Sequence, residues 1–325
     1  MKKLAHLAAA GLSALFLASP AVTAADVYPS KSIRFVVPYP PGGASDVTAR
    51  LIGQKLSEQW GQQVVVENRP GANGNIAADV VAKAAPDGYT MLMGNVGPNA
   101  ISSSLYPMLP YDVVKSFAPV TLTTTVPIVL LVNPGLPVKN VAELVAYAKA
   151  NPNKINFASA GNGSSNHLTG ELFKSAAAID IVHVPYKGDG QAITDLMGGQ
   201  VSMMFTTVVA AMPHVTSGKV RAIAVASPKR TPAMPDLPTI DESGFRGFSS
   251  SSWGGILFPA GTPAPIVAKM HEGVVGVLAM PDMKNKLQAM GAEVVGNSPE
   301  EFGRYIQSET IKWGKVVKSS GASVN

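Results

Sequence analysis

The first segment whose residue types could bind a small anion is a loop of small and polar residues at 37–46, with the sequence VPYPPGGASD. It lies where a predicted strand ends and a predicted helix begins, which is where open α/β sheets bind their ligands. Gly42 and Gly43 let the backbone approach a ligand closely, and Ser45 or Asp46 would cap the helix. The N–H groups at such a helix start attract an anion. The sequence supports equally well a rigid strand–helix turn in which Asp46 is only a cap.

A second loop, 157–168 with the sequence FASAGNGSSNHL, has the same organisation of strand, small residues and helix. It offers backbone N–H groups and the side chains of Ser159, Ser164, Ser165 and Asn166, which suit a carboxylate held by neutral donors. Taken alone, this loop is better explained as a Ser-rich helix cap. If the two loops face each other across a cleft, they hold the two ends of one small anion.

Further polar residues follow other predicted strands. Asn95 and Thr206 each lie at the end of a strand. The segment 183–188, HVPYKG, also ends a strand, but His183 is better explained as a hydrogen-bonded structural residue and Lys187 as a solvated charge. The candidate ligand-binding residues at all these strand ends are Tyr39, Pro41, Gly42, Gly43, Ala44, Asp46, Asn95, Ser159, Gly163, Ser164, Ser165, Asn166 and Thr206.

Known enzyme signatures are absent from the sequence. It contains no P-loop, no G-x-G-x-x-G dinucleotide fingerprint, no G-x-S-x-G nucleophile elbow and no H-E-x-x-H zinc motif. The absence of Cys excludes Cys nucleophiles, disulfides and Cys-ligated metals. We therefore predict no catalytic residue, no metal site and no cofactor. A hydrolase that combines a Ser with one of the four His beyond residue 25 is the alternative.

The first 25 residues have the pattern of an export signal. Two lysines precede an apolar stretch at 7–17, and the small residues that follow predict cleavage near Ala24 or Ala25. The apolar stretch is short for a membrane span, although an N-terminal anchor is the alternative. We therefore predict an exported, periplasmic protein.

Composition and charge bound the function further. Hydrophobic residues make up 46% of the 325 residues and charged residues 14%, a balance that can bury a core. The formal net charge of +5 falls by two, to +3, when the two signal lysines are removed. The remaining basic residues form no run, so a nucleic-acid partner is not indicated.

Strand and helix patterns alternate along the chain, which predicts an α/β fold with parallel strands and helices on both faces. Ser/Thr-rich stretches at 119–125 and 248–253 are predicted crossover strands between two lobes. We assign residues 26–121 and 251–325 to lobe 1 and residues 122–250 to lobe 2, with hinge closure over a ligand between them. The predicted strands are 33–37, 64–66, 90–93, 128–132, 155–158, 181–184, 203–206 and 222–226, and the predicted helices are 47–56, 76–83, 141–150, 165–177, 191–197, 265–278, 283–290 and one beginning at 298.

These segments together resemble the Bug-type (TctC-like) substrate-binding proteins of tripartite tricarboxylate transporters. The matching stretches run in family order over nearly all of the chain beyond residue 25. They are PYPPGGASD at 38–46, VENRPGANG at 66–74, PDGYT at 86–90, the loop 159–168, HVPYKG at 183–188 and PAGTP at 259–263.

The resemblance implies a two-lobed, type II periplasmic binding fold with a ligand cleft between lobes joined by crossover strands. It implies capture of a small carboxylate, a di- or tricarboxylate or an aromatic acid, and delivery to a membrane permease by a monomeric protein. Presentation of the bound ligand to a sensor kinase ectodomain is an alternative role. In the family, the first loop contacts one carboxylate and a helix start in lobe 2 holds the other end; these roles map onto residues 39–46 and 159–166.

The ligand itself is not identified by these motifs. An amino-acid ligand would favour an acidic group near its ammonium. The segment 205–207 is neutral, which leaves Asp46 as the only acid in the candidate loops. We therefore expect, as a hypothesis, a carboxylate without an ammonium group; tight competition by glutamate or aspartate would overturn it.

Overall fold

The computed structural model describes residues 28–324. The predicted export signal and its cleavage site lie outside the described residues, so both stay predictions. None of the helices within 28–324 is both long and apolar enough to cross a membrane.

Strands and helices alternate along the chain, as the sequence predicts. The strands are β1 (Ile33–Val37), β2 (Val64–Asn68), β3 (Thr90–Asn95), β4 (Phe117–Val132), β5 (Asn156–Ser159), β6 (Val182–Pro185), β7 (Met203–Thr207), β8 (Arg221–Val225), β9 (Ser251–Pro259) and β10 (Glu293–Val294). The helices are α1 (Ala44–Trp60), α2 (Asn75–Ala82), α3 (Ser102–Leu105), α4 (Val141–Ala150), α5 (Ser165–Ala177), α6 (Asp189–Met197), α7 (Val208–Thr216), α8 (Ala264–Ala279), α9 (Pro281–Ala289) and α10 (Pro299–Ser320).

Four helical segments were not predicted from the sequence. They are a 3₁₀ turn at Ala72–Gly74, a π-helical turn at Gly97–Ile101, the short helix α3 that follows it, and α7. Helix α7 contains Pro213 and begins with two valines, both of which disfavour an isolated helix. Burial of Val208 and Ala211 explains why the helix forms there nevertheless, because tertiary packing outweighs local propensity.

The strands form one sheet with the order β2-β1-β3-β9-β4-β7-β5-β6, and β8 and β10 also pair with β4. Strand β4 joins two halves of this sheet. Its residues 117–127 pair antiparallel with β9, and its residues 128–132 pair with β7 and β8. We call the half containing β1, β2, β3, β9 and β10 the first lobe, and the half containing β5 to β8 the second lobe.

The predicted crossovers coincide with the two connections between the lobes. The stretch 119–125 is part of the continuous β4, and residues 248–250 lead from the second lobe into β9. Since β4 crosses as one unbroken strand, its pairing changes partner between Pro127 and Ile128. The boundaries after residues 121 and 250 stay a proposal.

Each lobe buries side chains on both faces of its sheet. In the second lobe, Ile128, Leu130 and Val132 join one apolar cluster, whereas Val129 and Leu131 join another on the opposite face. This alternation along a fully buried strand requires helices on both sides, as the apolar runs predict. The two-lobed α/β architecture is therefore confirmed.

The strand order brings the carboxyl ends of the parallel strands of both lobes to the same place. Asn95, the last residue of β3, pairs with Gly254 near the start of β9. Thr207, the last residue of β7, pairs with Ile128, where β4 crosses. Because β1 and β2 run parallel to β3, and β5 and β6 run parallel to β7, six strands end at the boundary between the lobes.

Candidate functional site

The loop after β1 forms the first-lobe wall of this boundary. Gly43 is the N-cap of α1, and no side chain caps the helix, so the prediction that Ser45 or Asp46 is the N-cap is wrong. The first-turn N–H groups of a helix have no intrahelical partner. Helix α1 therefore presents uncapped N–H groups beside the exposed Pro41 and Gly42 and the half-buried Ala44.

The Asp46 side chain holds this loop in place through hydrogen bonds. It lies in the first turn of α1 and accepts the Gly42 N–H at 2.9 Å, the Arg50 Nε–H at 3.0 Å and the Asn68 Nδ2–H at 2.9 Å. Burial alone would raise the pKa of Asp46, but hydrogen bonds from Arg50, Gly42 and Asn68 outweigh it and lower the pKa. Because Asp46 is buried and its oxygens are occupied, it shapes the loop, and the predicted direct ligand contact gains no support.

Tyr39 and Asn95 tie the first loop to the end of β3. The Tyr39 hydroxyl donates to Asn95 Oδ1 at 3.2 Å, and Asn95 Nδ2 donates to the Trp253 carbonyl at 2.7 Å. The side chain of Asn95 also approaches Ser45 Oγ at 3.5 Å. The structure therefore brings these two predicted residues together with the start of α1.

Asn73 joins the lobes and was not among the predicted site residues. Its Nδ2 donates to the Gly163 carbonyl in the second lobe at 2.8 Å. A Cβ atom added at Gly97 would meet both the Tyr39 hydroxyl and the Asn73 amide within 3.0 Å, so these groups crowd one point of the cleft. Asn73 holds a left-handed backbone with φ 56°, a conformation that Asn tolerates better than most residues. The two predicted loops therefore face each other, with Asn73 between them.

The loop after β5 forms the second-lobe wall. Ser164 caps α5, which agrees with the Ser-rich helix cap considered for this loop: its Oγ accepts the His167 N–H at 3.2 Å. This leaves the N–H groups of Ser165 and Asn166, in the first turn, for a ligand. Gly163 has a left-handed backbone with φ +79° and precedes the helix. A Cβ atom added at Gly163 would overlap Leu105 of the first lobe.

Ser159 lies below this loop and does not line the cleft surface. It is fully buried, and its Oγ is 2.6 Å from His183 Nε2. The Gly161 N–H also donates to this hydroxyl, at 3.2 Å. The predicted ligand contact for Ser159 thus gains no support, because the side chain is occupied by the fold.

Two histidines stack beneath the second-lobe loop. The His167 and His183 rings lie 3.9 Å apart, and both stack near Phe157. Burial lowers the pKa of His167 to about 4, and burial together with the neighbouring His167 lowers that of His183 to about 3. Both rings are therefore neutral at physiological pH, which supports the structural role predicted for His183.

Asp189 is a second acidic group at the cleft, and the sequence reasoning missed it. Its Oδ1 accepts Asn166 Nδ2–H at 2.6 Å and Thr206 Oγ1–H at 3.0 Å. Two predicted site residues on different elements thus converge on one carboxylate. The premise that Asp46 is the only acid in the candidate loops is wrong, because Asp189 directly follows the segment 183–188. An acid that follows a strand end and a Gly, at the start of a helix, is a local sequence signal for such a residue.

The cleft therefore combines uncapped helix starts from both lobes with neutral side-chain donors, a combination suited to a small carboxylate. Within residues 28–324, no group of three His, Asp or Glu side chains could hold a metal ion. A groove of about 330 Å³ elsewhere on the first lobe, lined by Val113, Phe117, Gly303 and Ile306 among others, includes none of the candidate residues.

The chain is similar to known transport proteins in sequence and structure. The family model described as "tripartite tricarboxylate transporter family receptor" matches residues 48–322. An R. palustris protein solved with adipate is 38% identical with a TM-score of 0.84, covering 91% of this chain and 100% of its own. MatC from Rhodopseudomonas palustris, solved with bound malate, is 36% identical with a TM-score of 0.80, covering 89% of this chain and 100% of its own.

The periplasmic binding protein BugD is similar to the same extent. It is 37% identical with a TM-score of 0.80, and the match covers 91% of this chain and 100% of BugD. The resemblance drawn from the sequence motifs is confirmed, as is the two-lobed periplasmic binding fold. The chain belongs to the tripartite tricarboxylate transporter receptor family, the TctC family of periplasmic solute-binding proteins.

Proposed function

We propose that this protein captures a small organic carboxylate between its lobes in the periplasm and delivers it to the membrane permease of a tripartite tricarboxylate transporter. One observation carries the proposal. The start of α1 in the first lobe and the start of α5 in the second lie at the same boundary, where Asn73, on the loop after β2, donates to the Gly163 carbonyl beside α5. Helix starts on both sides stabilise negative charge at each end of a ligand.

The solved relatives support the same ligand class. One was solved with adipate and MatC with malate, both of which are small dicarboxylates. A ligand with a carboxylate at each end matches a cleft with a helix start on each wall. The proposed contacts are the backbone around Gly42 and Gly43 and the first turn of α5, with Tyr39, Asn95 and Thr206 shaping the space.

A hydrolytic role gains less support than a binding role. Ser159 and His183 are within hydrogen-bond distance, as a nucleophile and its base would be. Ser159 has no exposed surface, however, so a substrate cannot reach its hydroxyl without unpacking the loop. The lowered pKa of His183 also makes the ring a weak base. The pair is better explained as a support for the second-lobe loop.

Thermal unfolding of the purified protein against a panel of carboxylates tests the proposal. The panel contains mono-, di- and tricarboxylates, aromatic acids and acidic amino acids. A ligand at one hundred times its dissociation constant stabilises the folded state by about 2.7 kcal/mol, which gives a clear midpoint shift. We expect a shift for one chemical class without chemical change of the ligand. No shift for any compound, with no molecule released on denaturation, would contradict carboxylate capture.

Export and delivery have their own tests. Mass spectrometry of the protein recovered from a bacterial periplasm should find a chain that begins after Ala24 or Ala25. Crosslinking in membranes that contain the transporter should capture the permease more strongly with ligand present. A chain that keeps residues 1–25 would contradict the predicted signal cleavage.

A further inference from the structure

Asp189 stands out because neutral groups alone hold its carboxylate. It is the first residue of α6, whose N-cap, Gly188, makes no side-chain capping bond. Both hydrogen bonds to its side chain reach the same oxygen, Oδ1: one comes from Asn166 at the start of α5 and the other from Thr206 on β7. Strand β7 lies next to β4, so the carboxylate sits over the middle of the second-lobe sheet, at the boundary between the lobes.

Among residues 28–324, no cationic side chain contributes to the ionisation of Asp189. Burial raises its pKa, and the hydrogen bonds from Thr206 and Asn166 act against that rise. The 2.6 Å contact with Asn166 is as short as hydrogen bonds to an ionised oxygen, and the first position of a helix favours negative charge. Both observations favour an anionic carboxylate without a protein counter-ion.

We propose that Asp189 is a specificity-determining residue that selects carboxylates carrying an ammonium group over those without one. This inference rests on the proposed function and narrows its substrate class. It replaces the expectation, drawn from the sequence, of a ligand without an ammonium.

Closure of the lobes explains why Asp189 would select a ligand that carries an ammonium group. In the open cleft, water solvates the Asp189 carboxylate. When the lobes close over a ligand, that water is displaced, and an anion without a partner becomes costly. A ligand ammonium supplies the partner by donating to Oδ2, the oxygen that neither Asn166 nor Thr206 occupies. A plain dicarboxylate brings further negative charge instead and is rejected by repulsion.

Matched ligand pairs test the inference by isothermal titration calorimetry. Each pair differs by an α-ammonium: L-glutamate and glutarate, L-aspartate and succinate, and 2-aminoadipate and adipate. The variant Asp189→Asn keeps the shape and removes the charge. Asp195→Asn is the matched control, because it makes the same change on the same helix, where the Asp195 side chain accepts the Tyr186 hydroxyl.

For the ligand pair whose length fits the cleft, we expect the wild-type protein to bind the compound with the ammonium group roughly ten- to a hundredfold more tightly than the one without it. This is the range expected for a hydrogen bond to a charged group. Asp189→Asn should abolish or invert this preference, and Asp195→Asn should leave it unchanged. A purely structural role would weaken both members of the pair equally and overturn the inference.

The remaining outcomes separate this inference from the proposed function. Tighter binding of the plain dicarboxylate, weakened by Asp189→Asn, would mean that Asp189 is protonated and donates to the ligand. That result would overturn ammonium selection and leave carboxylate capture intact. Equal affinity for the two members of every pair would also overturn ammonium selection and leave carboxylate capture intact. Failure of all six compounds to bind would count against both proposals.

Discussion

Asp46 and Asp189 occupy similar positions in the two lobes but have different environments. Each lies in the first turn of a helix that begins at the boundary between the lobes. Asp46 is bonded to the Arg50 guanidinium, and its pKa is lowered. Within the described part of the chain, Asp189 has only neutral donors, and its pKa is raised. Burial opposes charge at both sites. At Asp46 the Arg50 cation and its hydrogen bonds outweigh that effect, whereas Asp189 has no such cation among the described residues.

The comparison teaches that residue type at a helix start does not fix its role. An acid with its own cation is satisfied within the lobe and stiffens a loop. An acid without a neighbouring cation can be neutralised only by a ligand that enters the cleft. The first lobe therefore contributes a rigid wall, and the second contributes a wall with an unneutralised charge.

Among single-contact changes, the strongest loss of affinity is expected where the two walls meet. In Gly163→Ala, the added methyl group would overlap Leu105 of the first lobe. Overpacking of this kind costs typically about 1–3 kcal/mol, so carboxylate affinity should fall about ten- to a hundredfold by calorimetry.

Gly199→Ala is the matched control for Gly163→Ala. Gly199 has a similar φ of +73°, and its nearest contact, Asn133 Nδ2, is at 3.7 Å. Both variants should lose about 1 kcal/mol of stability through backbone strain. Equal loss of affinity in the two variants would show that strain, and not contact between the lobes, explains the result.

The next prediction separates the two acids by stability. Asp46→Asn removes a buried charge that Gly42, Arg50 and Asn68 all donate to, and should lower the free energy of unfolding at pH 7 by about 2 kcal/mol. Asp189→Asn should leave it unchanged or raise it, because burial makes the anionic carboxylate of Asp189 costly and no cation among the described residues offsets that cost. Urea unfolding at pH 7 measures both.

The pH dependence of the same two variants follows from the signs of the pKa shifts. The stabilising contribution of Asp46 is present above its unfolded pKa of about 3.9 and is lost as pH falls through the lower folded value. Asp189 has a raised folded pKa, so its unfavourable contribution appears as pH rises above about 3.9. If both variants lose equal stability at pH 7, the contrast between the two acids is wrong.

A smaller effect is expected at the hydrogen bond between the lobes. Asn73→Ala removes the donor to the Gly163 carbonyl and should weaken carboxylate binding by up to about tenfold. Asn153→Ala is its control, since Asn153 also has a left-handed backbone, with φ 60°, on the exposed surface of the second lobe. An affinity change of the same size in both variants would contradict the bridging role of Asn73.

The smallest effect is in the histidine pair below the second-lobe loop. The folded pKa values of His167 and His183, about 4 and about 3, are below the ordinary value of 6.5. The unfolded state therefore binds protons first, and stability should fall as pH decreases from 6.5 towards 4. Burial raises the pKa of the nearby Glu171, which acts in the opposite direction.

Comparing the wild-type protein with His183→Gln isolates the contribution of His183 to the pH dependence of stability, because Glu171 contributes to both proteins. Thermal midpoints recorded between pH 7 and pH 4 should fall less steeply in the variant. Identical slopes would contradict the assignment of a neutral, buried His183.

Local patterns in the sequence were sufficient for the alternation of strands and helices and for the two strand-to-helix loops. A buried apolar run followed by paired glycines predicts a strand end and a helix start, as at β1 and α1. The Ser164 cap follows from local rules as well. These features depend on neighbours within a few residues, which is why the sequence alone carries them.

The missed features depend on contacts between distant residues. Asn73 and its acceptor Gly163 are 90 residues apart, and Asp189 lies 23 residues from Asn166 and 17 from Thr206. Ser159 was expected at the ligand, but the packing of β6 beside β5 brings His183 to its hydroxyl. No local pattern encodes such pairings, so they emerge only when the strand order is known.

Calorimetry on one variant from each lobe shows whether both lobes bind the same ligand. In Gly43→Val, the added Cβ would lie 3.8 Å from the Pro40 carbonyl oxygen, an ordinary contact, at the start of α1. In Ser164→Val, the new side chain replaces the cap of α5. The ligand is the carboxylate that gives the largest thermal shift for the wild-type protein, and circular dichroism checks that both variants fold. We predict that each variant loses carboxylate binding. Wild-type affinity in both folded variants would contradict a site built from the helix starts of the two lobes.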